Sequence, residues 1–304
     1  MRINHRDQDE YLELLRQNKI PQGLGIGCNL DNHIRFKRAS FNCILGHANV
    51  GKTYFVLFYL TALSKVHNLK HLIYSAENTI ESLKRNILEL YTGSKLVDMN
   101  PKQLETAKEW LEAHFDFVEA KEWDINKFME GVQKIGAKYD SLMIDPHNSF
   151  TRPFGTNAHE HDYLTATKLR FFAKKFDCTV FMCMHGATEA LRKTHKSGEY
   201  EGLPVPPAAA DAEGGGKWIN RADDFWVIHR YTQHPHHWMD THVHIKKVKD
   251  TFTGGSCTVF DQPIVFSMQY GTQFTCGGVN VLESEVPSMN NFANLDFDNE
   301  KCPF

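Results

Sequence analysis

The chain is poor in the features that would mark a secreted, membrane or zinc-bound protein. Its cysteines number seven, an odd count, at Cys28, Cys43, Cys178, Cys183, Cys257, Cys276 and Cys302, and no two form a CxxC pair. Neither a disulfide framework nor a thiolate metal cluster is expected from that spacing. No apolar run approaches the length of a membrane span, and Met1 to Glu10 is too charged for a signal peptide, so a cytoplasmic protein with no membrane partner is expected. A formal charge of −3 supplies no global basic field, so contact with nucleic acid would have to come from local loops. The rest, 41% hydrophobic and 23% charged over 304 residues, is ordinary globular composition and predicts one main domain with short extensions.

The most informative stretch runs from Phe41 to Thr53. An apolar strand leads into Gly46-His47-Ala48-Asn49-Val50-Gly51-Lys52-Thr53, and an apolar run free of Gly and Pro follows from Tyr54 to Val66. Strand, glycine-bounded turn and helix in this order form a phosphate-binding loop, whose backbone N–H groups and helix N-terminus face phosphate oxygens. Gly46 to Thr53 would therefore cradle ATP, with Lys52 on the β- and γ-phosphates and the Thr53 hydroxyl completing a Mg²⁺ shell.

Downstream, His71 to Ala76 predicts a buried strand ending at Glu77-Asn78, with a helix from Thr79 to Tyr91. A carboxylate at a strand's end beside a phosphate loop is placed to activate water, which makes Glu77 the candidate general base. Pro101 to Phe115 and Asp124 to Ala137 predict helices, with a short strand from Phe115 to Glu119 between them. Ser141 to Pro146 is an apolar strand ending in Asp145, the carboxylate a Mg²⁺ site needs at the sheet edge. The region from Phe150 to His161, with Arg152, predicts a loop, and Asp162 to Phe176 a helix. Cys178 to His185 predicts a strand whose last residue, His185, would report on the γ-phosphate.

From Gly186 to Gly216 periodicity is lost, and Arg192, Lys193 and Lys196 occur there ahead of Lys217. Such a loop suits contact with a phosphate backbone. Asp224 to Arg230 and Thr241 to Lys249 predict a hairpin, with His242, His244 and Lys246 opposite Val243, Ile245 and Lys247. The histidines of Gln233 to His237 lack a second ligand pair at zinc spacing. Two last strands are predicted at Ser256 to Phe260 and Pro263 to Tyr270. Residues 281–304 form an acidic tail ending in Phe304, expected to be disordered and suited to a basic pocket of a partner. Arg6 to Asn18 predicts a short amphipathic helix.

The ordered set resembles the RecA-like motor domain of DnaB-type replicative helicases, a group that includes mitochondrial Twinkle and phage primase-helicases, over roughly Ile20 to Tyr270. Ile20-Pro21-Gln22-Gly23 with Leu30-Asp31 is similar to that family's entry to the phosphate loop. Tyr74 to Asn78 is similar to its glutamate motif, Met143 to Pro146 to its metal strand and Phe181 to His185 to its γ-phosphate sensor. Asp211 to Asp223, through Gly214-Gly215-Gly216-Lys217, resembles its DNA-facing loop. Lys247-Val248-Lys249 resembles its Lys-x-Arg segment, which reaches a neighbour's γ-phosphate; lysine stands where arginine is usual, so Lys247 and Lys249 together, or Arg230, would supply the finger.

The resemblance implies an α/β RecA-like P-loop NTPase core with a mostly parallel central sheet, flanking helices and a C-terminal β-hairpin extension. Residues 1–19 would be a linker helix and 20–280 the motor. The implied function is ATP-dependent unwinding of DNA by a homo-oligomeric ring, a hexamer in that family, translocating on single-stranded DNA. Arg152, Arg192, Lys193, Lys196 and Lys217 would contact the strand, and the acidic tail a replisome protein. No space precedes the motor for a primase, and a stand-alone motor of this size is expected of a phage, acting in the host cytoplasm. Two alternatives share the core: a RecA/RadA-like recombinase ATPase and an ATP-latched replication loader or binding module.

Overall fold

Strand β1, Phe41–Gly46, is buried along its whole length, as expected of an apolar run covered on both faces. The computed structural model describes residues 12–17, 19, 22–119, 124–135, 139–152, 155 and 157–283. In the same sheet lie β2 (His71–Ser75), β3 (Phe115–Phe117), β4 (Ser141–Asp145), β5 (Thr179–His185), β6 (Asp224–His229), β7 (Asp240–Val248), β8 (Ile264–Gln269), β9 (Gln273–Cys276) and β10 (Val279–Asn280). Their order across the sheet is β10-β9-β8-β7-β6-β1-β5-β4-β2-β3. The half from β6 to β3 is parallel, and β7 to β10 continue it antiparallel.

Helices cover both faces: α1 (Lys52–His67), α2 (Ile80–Thr92), α3 (Pro101–His114), α4 (Ile125–Ile135), α5 (Ala158–Phe176), the short α6 (Lys217–Arg221) and the single turn α7 (Thr251–Gly254). Successive strand residues feed opposite cores. Ile44 and Trp226 join Phe55, Phe58, Ile87 and Leu111 on the α1–α3 side. Cys43, Leu45 and Phe225 join Phe128, Leu169, Phe172 and Trp218 on the α4–α6 side. Helix α1 is apolar nearly all round, which befits the central helix of its layer. Its Phe55 and Phe58 rings pack 5.0 Å from Phe266 and 4.6 Å from Phe274, so β8 and β9 are fastened to the helix that carries the phosphate loop.

Several expectations are corrected. Residues 256–260 form no strand; Thr258 alone bonds to Ile245, and Val259 and Phe260 face solvent. The extension is four antiparallel strands deep, because β9 and β10 follow in short polar segments that carry no alternating pattern. Helix α5 begins at Ala158, within the stretch read as a loop. Val281 and Leu282, assigned to the tail, are buried in the core. The face of β7 read as polar is covered as well, with His242 and His244 buried. Residues 12–16 are helical, while the rest of the expected linker helix and residues 284–304 lie outside the described residues.

Candidate active site

The carboxyl ends of β1, β2, β4 and β5 lie side by side, and parallel register sets which side chains meet there. Gly46 stands beside His185, and Ser75 beside Asp145. At Gly46 a Cβ would come within 2.5 Å of the Ile228 carbonyl oxygen, so the chain can turn there only without a side chain. Gly51, at φ 82°, then opens α1 from a left-handed conformation.

Lys52 is buried inside this turn. Its Nζ donates to the carbonyls of Gly46 (3.1 Å) and His47 (2.7 Å) and lies 3.3 Å from Nδ1 of His185. Burial lowers its pKa, partly offset by Asp145 and Glu77. His185 in turn meets Oε1 of the half-exposed Glu77 through Nε2 at 3.0 Å. A neutral ring with its proton on Nε2 donates to Glu77 and accepts from Lys52, so one histidine links candidate base and phosphate-binding ammonium.

Asp145 is almost wholly buried, and burial raises its pKa against the opposing bond from Thr53. It accepts hydrogen bonds from Thr53 Oγ1 (2.8 Å), Ser75 Oγ (3.3 Å) and Asn78 Nδ2 (3.5 Å), all neutral donors. A buried carboxylate next to a hydroxyl, bonded by neutral groups, is a fitting pair of oxygen donors for Mg²⁺. Ser75 and Asn78 were not singled out from the sequence, although both sit in the polar stretch that ends β2.

The remaining candidates are spread around this centre. Arg230 donates Nη2 to the Trp238 carbonyl (2.6 Å), and its Nη1 lies 3.3 Å from where a Cβ on Gly51 would stand, against its own phosphate loop. Lys247 donates to the carbonyls of Ile219 (2.7 Å) and Ala222 (2.8 Å), capping the end of α6. Lys249, half exposed, reaches Asp223 at 3.0 Å, a carboxylate shared with Arg170 at 2.8 Å.

Among the strand-binding candidates Arg152, Arg192 and Lys196 are exposed. Lys193 is paired with Asp211 (2.6 Å), and Lys217 is largely buried against Asp162 (3.1 Å). The 186–216 segment is more ordered than its sequence implies. It pairs back through Gly186 with Ala212 and Thr194 with Pro204, and the Val205 carbonyl meets Nε2 of the loop residue His47 at 3.2 Å. The crowded histidines pack on aromatic rings, as where Tyr231 lies edge-on to His229 (4.5 Å) and His242 (5.3 Å). Among the described residues no group of three His, Cys, Asp or Glu side chains is arranged to hold a metal ion.

Sheet order, phosphate loop and metal carboxylate together define a RecA-like P-loop ATPase core. Solved structures with this fold include the isolated ATPase domain of a DnaB-like helicase, at a TM-score of 0.71 and 13% identity over 90% of this chain and 99% of that one. A DnaB-like replicative helicase whose interactions with primase were determined superposes at a TM-score of 0.67 and 15% identity, over 90% of this chain and 67% of that chain. The architecture is thus that of the ATPase domains of DnaB-like helicases. No protein-family model and no curated protein matches the sequence.

Proposed function

We propose that the chain is a DNA helicase motor, hydrolysing Mg-ATP to move along single-stranded DNA within a ring of identical subunits. The observation that carries this reading is the convergence of Lys52, Thr53, Asp145, Glu77 and His185 at the ends of four adjacent strands, on a fold shared with DnaB-like ATPase domains. Phosphate oxygens would take the Lys52 donors now directed at the Gly46 and His47 carbonyls, and Gly46 to Thr53 would wrap the chain of phosphates. Thr53 and Asp145 would hold Mg²⁺, which neutralises charge developing on the transferred phosphoryl group.

Glu77 would take the proton of the attacking water. His185 holds that carboxylate in place and, through its contact with Lys52, senses whether the γ-phosphate is present. Arg230, lying against its own loop, serves its own subunit's nucleotide. Lys247 is committed to the end of α6, so a cation reaching across a subunit boundary falls to Lys249. The segments after β4 and β5, with Arg152, Arg192, Lys193, Lys196 and Lys217, carry the strand.

The test is the ATPase rate with and without single-stranded DNA for wild type and Glu77→Gln. The reading predicts stimulation by DNA and its loss in the variant, with nucleotide binding retained. Slow turnover that DNA leaves unchanged would instead favour an ATP-latched binding module.

A further inference from the structure

Beside the nucleotide site a cavity of about 210 Å³ opens between the turn after β4, the first turns of α5 and the segment entering α6. At about 30 Å³ per water it has space for roughly seven waters, below the roughly 300 Å³ at which drug-sized pockets begin. Its wall is aromatic. Trp218 is fully buried, donates Nε1 to the Glu213 carbonyl (3.1 Å), and meets the His147 ring edge-on at 5.0 Å. Gly214 closes this wall at φ 90°, where a Cβ would lie 2.5 Å from an Asp162 oxygen and 2.9 Å from Trp218 Nε1.

The polar groups are of two kinds. Charges inside are already matched: Asp162 holds Lys217 (3.1 Å), and Glu213 accepts from Asn148 (3.1 Å). His147, by contrast, is nine-tenths buried with Nδ1 unpartnered, and burial holds its pKa down at about 4, so the ring is neutral at pH 7. Nε2 of His161 is likewise buried and unpartnered. Unmade hydrogen bonds of this kind are costly, and a ligand that makes them recovers that free energy. Arg152 also lines the cavity, and it is exposed.

An uncharged, hydrogen-bonding, aromatic-walled interior suits a flat neutral ring rather than an anion, and an exposed arginine suits the phosphate attached to it. From this geometry we infer that the cavity takes one unstacked base of the bound single strand, a contact that would grip the strand without reading its sequence. The inference rests on the strand-binding reading above, because the cavity lies between the segments that carry Arg152 and Lys217.

The test compares a labelled thymidine oligonucleotide with a strand of equal length containing abasic sites. Binding is read by fluorescence anisotropy with Mg²⁺ and a non-hydrolysable ATP analogue. Stacking of one base is worth about fivefold to a hundredfold in affinity, so wild type should prefer the intact strand by at least about fivefold. Two variants block the cavity from different sides, Thr165→Leu from α5 and Asn148→Trp from the exposed turn. Both should bring the preference close to unity and leave affinity for the abasic strand as in wild type. Equal affinity of wild type for the two strands, or an undiminished preference in both variants, overturns the base pocket and spares the strand-binding reading. A wild type that binds neither strand overturns both.

Discussion

Four histidines make stability depend on pH in a way that can be worked out in advance. His71, His229, His244 and His147 are buried, and burial lowers their pKa values to about 3, about 3, about 3 and about 4. The folded chain keeps them neutral while the unfolded chain protonates them near pH 6.5. Their contribution is therefore complete above about 6.5 and is lost as pH falls from there toward 3 to 4. Each group costs about 1.3 kcal/mol between pH 7 and pH 5.5, and four cost about 5 kcal/mol, comparable to the whole stability of an ordinary domain. His237 acts the other way, its pKa raised by Asp240 and Glu199, but it is a surface group. The carboxyls of Asp31, Asp145 and Asp224, raised by burial, also act against the histidines.

A difference measurement removes those opposing groups. Both ring nitrogens of His244 are buried without partners, so His244→Leu deletes one titrating group and no hydrogen bond. Urea unfolding followed by circular dichroism at a series of pH values gives the stability of each protein. The variant should lose about 1.3 kcal/mol less than wild type between pH 7 and pH 5.5. Parallel curves for the two proteins would refute the assignment of a neutral, buried His244.

Lys249→Ala should cut DNA-stimulated turnover on the order of a thousandfold if it is the cation that crosses the subunit boundary, and mixing it with Glu77→Gln subunits should restore part of the rate; Arg230→Ala should instead raise KM for ATP, measured by steady-state kinetics. Phe58→Ala removes the ring that joins α1 to β8 and β9 and should cost about 3–5 kcal/mol in urea unfolding, with the contact between the extension and the phosphate loop loosened.

The phosphate loop, Glu77, Asp145 and His185 were legible because each lies at the end of an apolar strand, where a local motif carries both fold and chemistry. The pairings of Lys217 with Asp162 and of Lys193 with Asp211 were not, since the partners are distant in sequence or sit in a segment without periodicity. His242 and His244 alternate with apolar residues as if one face of β7 were wet. The structure covers that face, Tyr200 and Tyr231 lying over His242, and alternation cannot report a covering that arrives from another segment. Strands β9 and β10 escaped notice because they are four and two residues long and lean on α1 rather than on their own pattern.

The central claim is that hydrolysis at this site moves the protein along DNA. Strand displacement from a forked duplex, with ATP and Mg²⁺, tests it directly in wild type and Lys52→Ala. The account predicts ATP-dependent release of the displaced strand by wild type and none by the variant. DNA-stimulated hydrolysis with no strand released, above all with filaments forming on the DNA, would contradict it and identify the chain as a recombinase-type ATPase.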